Sequence, residues 1–276
     1  MTQQQRFPVY FIPHGGGPWP FMEFPKDEHG VAPWDDLAAF LRGFDAEVGR
    51  RPKAILVVSG HWEKEALPTV STAMQPGMLF DYYNFPPHTY ELSYPAPGSP
   101  TLAARARTLL ADAGIDSAED SARGYDHGVF IPLMLAYPDA DVPITMMSLK
   151  NTLDVASHVA IGKALAPLRD EDVLIIASGM SYHNMRQFRQ AEPTHVQQAV
   201  RFDHWLAEAV MLDDVDERAA KLSTWDQNPD ALVCHVPDHD HLVPLFVAAG
   251  AAGADAGRQV FQGHFLGKPY SGFRFG

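Results

Sequence analysis

The chain has 276 residues, 46% of them apolar and 20% charged, which suffices to bury a substantial core in one domain. Its formal charge of −13 opposes binding to nucleic acid or an anionic membrane surface, and neither is expected as a partner. A single cysteine, Cys234, excludes an internal disulfide and a cysteine-based zinc finger. The N-terminal stretch MTQQQRFPVYFIPHGGG has no apolar signal core, and no apolar run reaches 18 residues, so a cytoplasmic location is expected.

In chain order, residues 8–12 read as a strand. Residues 34–48 follow as a helix that opens after Pro33 and carries Leu37, Phe40, Leu41 and Phe44 on one face. Strands are predicted at 54–59 and 67–72. The stretch 74–100 is too long and too aromatic for a simple connection and reads as an ordered wall or lid. A helix at 99–113 starts with a Ser-Pro pair and stops at Gly114. Residues 130–135 read as an apolar turn, 143–148 as a strand, 153–168 as a helix and 173–178 as a strand. Helices at 193–211 and 241–252 and a weaker strand at 259–262 complete the pattern. Strands alternating with helices predict an α/β fold: one domain, residues 1–276, with a central, largely parallel or mixed sheet flanked by helices.

Histidine placement opens the functional argument. His14 lies just past the first strand in Pro13-His14-Gly15-Gly16-Gly17, His61 just past the second in Ser59-Gly60-His61-Trp62, and His183 a few residues past the strand at 173–178. Ligands of open α/β sheets bind at the carboxyl ends of the strands, so these three converge on one rim. His127, in Tyr125-Asp126-His127-Gly128, and His241, before an apolar helix, belong with them, and His235 and His239 are rivals for the place of His241. Imidazoles without thiolates suit Zn(II) or Fe(II). Asp126 and Asp240, each beside a histidine, are candidates to orient an imidazole. The glycines at 15–17 invite comparison with a lipase oxyanion loop, but no Gly-x-Ser-x-Gly elbow occurs, and there is no phosphate loop or dinucleotide fingerprint.

Seven blocks in order resemble the DOPA-dioxygenase-type branch of the class III extradiol ring-cleavage dioxygenases, relatives of the catalytic subunit of protocatechuate 4,5-dioxygenase. They are HGGGP at 14–18, SGHWE at 59–63, DYYNFPPHTYELSYPAPG at 81–98, GYDHGVFIPL at 124–133, SGMSYHN at 178–184, HLVPL at 241–245 and SGFRFG at 271–276. The resemblance implies one divalent metal ion held by His14, His61 and His241. It makes His183 the acid/base, close enough to act as a fourth ligand, and His127 a histidine facing the substrate. The histidine-rich CHVPDHD segment leaves His239 as an alternative to His241. The implied activity is insertion of O₂ into a DOPA-like or other substituted catechol.

Zinc has no accessible redox change, so Fe(II) is expected for activity and Zn(II) as an occupant on purification. Tyr82, Tyr83, Phe85 and Tyr90 are expected to form an apolar wall against the aromatic ring. Two readings from other classes stand beside this one: a zinc-dependent hydrolase using the same histidines to activate water, and a non-enzymatic metal-binding protein. The number of subunits is open, a homo-oligomer included.

Overall fold

Uninterrupted runs of Val, Ile and Leu make strands that only a doubly covered sheet can accommodate. The computed structural model describes residues 6–276; the first five residues, part of the stretch read above for a signal core, lie outside the described residues. The chain begins with β1 (Val9–Pro13), α1 (Asp35–Arg42), α2 (Phe44–Val48), β2 (Ala54–Ser59), β3 (Thr69–Ser71) and α3 (Pro100–Asp112). There follow β4 (Ala118–Asp120), α4 (His127–Ala136), β5 (Ile144–Met147), α5 (Val155–Leu165), β6 (Val173–Gly179) and β7 (His183–Asn184). The last third holds α6 (Pro193–Val210), α7 (Val215–Ser223), α8 (Ala231–Cys234), β8 (His235–Val236), α9 (Val243–Ala252), β9 (Gly257–Phe265) and β10 (Lys268–Phe275).

Eight strands form one sheet in the order β4-β3-β5-β2-β6-β1-β10-β9. Its centre, β5-β2-β6-β1, is parallel throughout, and every residue of these four strands is buried. The flanks are mixed: β3 runs antiparallel to β5, and β10 antiparallel to both β1 and β9. The α/β fold with a largely parallel or mixed sheet is therefore the observed one. No helix among the described residues is long and apolar enough to cross a membrane.

Three expectations need correction, and one helix lies where none was expected. The helix at 34–48 is broken at Gly43 into α1 and α2, because Gly43 ends the first helix and opens the second. The apolar turn at 130–135 is part of α4; nearly every residue of this helix is buried, so it shows no amphipathic period, and Pro132 reads as a breaker. The weak strand at 259–262 is the middle of a long hairpin, β9–β10, whose second strand escapes a sequence reading because it contains Pro269 and Gly272, the latter at a register shift. The region after Met211 holds a further helix, α7, capped by the Asp214 carboxylate on the amides of Asp216 and Glu217.

The core on one face of the sheet closes where α5 crosses α9. A Cβ added at Gly162 would lie 2.1 Å from the carbonyl oxygen of Val247, and one at Gly250 would lie 2.2 Å from that of Val159. Glycine at both positions lets the two helix backbones touch.

Candidate metal centre

The end of β6 is the hub on which three histidine-bearing loops converge. The His14 amide donates to Gly179 O (3.2 Å), the Gly60 amide to Ser178 O (3.0 Å), and the Met180 amide to His241 O (2.9 Å). Two glycines make this approach feasible. Gly15 adopts φ +78, turning the chain sharply after His14, and any Cβ there would strike the Trp19 indole, which donates to His14 O at 2.7 Å. A Cβ at Gly179 would lie 2.1 Å from His241 O. Parallel pairing of β1, β2 and β6 places His14, His61 and His183 beyond the same edge of the sheet.

The Nε2 atom of His61 lies 3.0 Å from that of His14 and 3.1 Å from that of His241. The opposite nitrogens settle the tautomers. His241 Nδ1 lies 2.8 Å from Asp240 Oδ1, and a carboxylate only accepts, so Nδ1 carries the proton. His14 Nδ1 lies 3.0 Å from Ser178 Oγ, whose own proton goes to the Gly128 carbonyl, so His14 Nδ1 is again the donor. His61 Nδ1 faces Asp81 Oδ2 at 3.4 Å. The bare Nε2 lone pairs of His14 and His241 therefore both face His61 Nε2, and with the His61 proton likewise on Nδ1, toward Asp81, three lone pairs would meet there, which is repulsive unless a cation lies between them. Imidazole nitrogens about 2.0–2.1 Å from a tetrahedral ion sit roughly 3.3 Å apart, close to the spacing found. Burial, reinforced by the neighbouring histidines, holds the His14 and His61 pKa values well below the usual imidazole range, so both stay neutral and free to ligate.

Two further histidines close the cluster. The His127 ring sits 3.9 Å from that of His61, centroid to centroid, and 5.5 Å from that of His14; donor atoms of His14, His61 and His127 come within 4.8 Å of one another, as do those of His183, Asp240 and His241. His183 stacks on His241 with centroids 3.5 Å apart and 13° between planes. Its buried Nδ1 has no hydrogen-bond partner among the described residues and faces Asp240 Oδ1 at 3.8 Å. Burial, then the neighbouring His241, lowers its pKa well below normal. Burial alone raises the Asp240 pKa, but the hydrogen bonds from His241 and the electrostatic pull of His241 and His183 together outweigh it and the net direction is down, so the carboxylate stays ionised.

The aromatic loop folds over one side. Tyr82 is buried, presents its edge to His127 (5.8 Å, 77°) and donates its hydroxyl to Thr89 O; burial, then Tyr90, pushes its phenol up to about 12. Phe85 is half-buried, packs edge-on to Tyr82 at 5.4 Å and covers Gly17. Tyr90 is half-buried with its ring 5.3 Å from that of Tyr82. Tyr83 is 79% exposed and makes no ring contact among the described residues. Alternation along an extended segment turns it away from the side that Tyr82 presents.

Of the histidines read from the sequence, His14, His61, His127, His183 and His241 are brought together. His239 is not: its Nε2 donates to Leu153 O (3.1 Å) and its ring lies against Trp225. His235 donates to Ala231 O and is buried between Phe202 and Trp225. Asp240 orients His241 as expected, but Asp126 does not orient His127. Its carboxylate accepts from Ser59 Oγ (2.8 Å) and Arg123 (3.1 Å), and the partner of His127 is Asp81, 2.7 Å from Nδ1. Sequence reasoning missed Asp81 and Ser178. Asp81 heads the aromatic block and Ser178 precedes Gly179, but a long-range side-chain pairing leaves no local periodicity to read.

Residues 8–272 match the family model described as the catalytic LigB subunit of aromatic ring-opening dioxygenase. Among curated proteins, the chain is 38% identical to a 4,5-DOPA dioxygenase extradiol of Beta vulgaris, over 86% of this chain and 88% of that one. It is 36% identical to the dioxygenase tasH of Hapsidospora irregularis, over 96% and 84%. Among solved structures, it superposes on an uncharacterized protein of Escherichia coli K12 with a TM-score of 0.76 and 26% identity, covering 98% of this chain and all of the other.

Proposed function

The chain belongs to the family of catalytic LigB subunits of aromatic ring-opening dioxygenases, and from that premise we propose that it cleaves a small catechol, DOPA-like or otherwise substituted, with O₂ at an Fe(II) ion held by His14, His61 and His241. The observation that carries the ligand set is the convergence of three Nε2 atoms at 3.0 and 3.1 Å, with the opposite nitrogens facing Asp81, Ser178 and Asp240. Family membership sets this reading above the hydrolase and the binding-only alternatives.

His14, His61 and His241 would hold the Fe(II), which would lower the pKa values of the catechol hydroxyls and relay electrons from the catechol to triplet O₂, whereas Zn(II) would supply only the first effect. The protein's own residues do the rest. Three neutral imidazoles add no negative charge and leave the ion's full charge to act on the catechol. His183, with Nδ1 toward Asp240, uses Nε2 to take one hydroxyl proton and later return it; a neutral imidazole is matched to transfer in both directions. His127, its Nδ1 held by Asp81, presents Nε2 to a substrate oxygen. Tyr82 and Phe85 pack against the ring's face and exclude water. The exposed Tyr83 has no part in that wall.

The test is anaerobic loading with Fe(II), then addition of O₂ to a panel of substituted catechols. Appearance of a yellow semialdehyde absorbance with at least one catechol is expected. Verified Fe(II)-loaded protein that consumes no catechol across the panel would contradict the proposal.

A further inference from the structure

We propose that Asp81 is the positioning residue of the metal centre: a single carboxylate that holds His61 and His127 in the tautomers leaving both Nε2 atoms bare, and that ties the aromatic loop to the metal. Oδ1 accepts two hydrogen bonds from one residue, the His127 main-chain amide (3.0 Å) and its Nδ1 (2.7 Å). Oδ2 is buried, has no hydrogen-bond partner among the described residues, and faces His61 Nδ1 at 3.4 Å, the one donor within reach of it. The two rings it serves lie 3.9 Å apart. A carboxylate only accepts, so both Nδ1 atoms must carry the proton.

Among the described residues, no neighbouring carboxylate or hydroxyl named at this centre is free to replace it. The oxygens of Asp126 are taken by Ser59 and Arg123. Asp240 and Ser178 serve His241 and His14 on the other side of the cluster. The backbone around Asp81 is itself anchored: the Leu79 amide donates to Tyr125 O at 2.7 Å, and Met78 and Tyr125 form a parallel bridge. Asp81 therefore holds a fixed place beside His127, at the start of the segment that carries Tyr82 and Phe85. Order in that segment and order at the metal share one side chain.

An amide at this position cannot do the same. In Asp81→Asn the amide oxygen can keep His127, but the NH₂ group then faces His61 Nδ1. His61 escapes the donor–donor clash by moving its proton to Nε2, the atom that must ligate. Groups that orient metal ligands are typically worth about 10–100-fold in metal affinity.

The proposal rests on His61 being a metal ligand, and the experiment separates the two ideas. Zinc affinity is measured by chelator competition for the wild type, Asp81→Asn and His61→Ala, each verified as folded by circular dichroism. Imidazole tautomers are read in the metal-free proteins from long-range ¹H–¹⁵N spectra. The expected results are Nδ1–H for His61 and His127 in the wild type, Nε2–H for His61 in Asp81→Asn, and about a 10–100-fold loss of zinc affinity in that variant. Wild-type zinc affinity with an unchanged His61 tautomer in Asp81→Asn overturns the role of Asp81. So does an Nε2–H tautomer at His61 or His127 in the wild type, a measurement that needs no variant to fold. Wild-type zinc affinity in His61→Ala instead overturns the ligand assignment itself.

Discussion

A neutral imidazole has one lone pair, and what touches the other nitrogen decides where it points. At this centre His14 and His241 each have an acceptor at Nδ1 and His61 faces one at 3.4 Å, so in the proposed site the Nε2 atoms are turned toward the ion before it arrives. His183 differs: its Nδ1 has only a distant carboxylate at 3.8 Å, and its ring lies flat on that of His241. A ligand and a proton carrier should respond differently to truncation. His14→Ala is expected to lose the metal. His183→Ala is expected to keep most of it and lose about 10²–10⁴-fold in turnover. Metal analysis beside steady-state kinetics checks this, and equal metal loss in both variants would make His183 a structural ligand. At this scale the histidines were legible because each follows a strand or opens a turn beside glycine. Their partners were not: Asp81 is 46 residues from His127, and Ser178 is 164 from His14.

Loops reach the site because the elements beneath them pack without gaps. The α5–α9 crossing brings two backbones into contact, and its glycines have a measurable consequence. Gly162→Ala would improve intrinsic helix propensity by about 1 kcal/mol. The new methyl, however, would lie 2.1 Å from the Val247 carbonyl, an overlap with backbone that no rotamer can relieve. Overpacking of this kind costs about 1–3 kcal/mol or more. The net effect is expected to be destabilising and visible as a lower urea midpoint; a midpoint at or above wild type would show that the helices slide apart at little cost. The elements legible in the sequence were those with a clear period or an uninterrupted apolar run, β2 and β6 above all. The almost wholly buried α4 has no polar face to mark its turns, and β10 carries a proline and a glycine that its pairing with β1 and β9 tolerates. In both, tertiary packing overrides local signal.

Taken whole, the molecule concentrates neutral buried imidazoles in an acidic chain, and its stability should follow pH accordingly. Burial lowers the pKa values of His14, His61, His158, His183 and His235, the last to about 4. In the unfolded chain each titrates near 6.5. As pH falls below that value the unfolded state takes up protons that the folded state refuses. The stabilisation is therefore present above pH 6.5 and lost progressively as pH falls below it, for His235 over the range down to about 4. Burial raises the Asp126 and Asp203 pKa values, which act in the opposite sense, but they are two groups against five. Metal-free protein is expected to show a urea midpoint that declines steadily from pH 6.5 towards 4.5; a flat profile would mean that these imidazoles are already charged in the fold.

The central claim is that this fold opens an aromatic ring with O₂ and that the three-histidine site needs a redox-active ion to do so. Imidazole sites bind Zn(II) at least as tightly as Fe(II), so affinity alone does not select the working metal. The most direct measurement compares oxygen uptake by one protein preparation, with a catechol present, in a verified iron-free zinc form and after anaerobic exchange to Fe(II), using ¹⁸O₂ to trace both atoms. The account predicts negligible uptake with zinc, and with Fe(II) one O₂ consumed per catechol opened and both labelled atoms in the product. Robust uptake by the zinc form, or an Fe(II) form whose product carries no label, would contradict it.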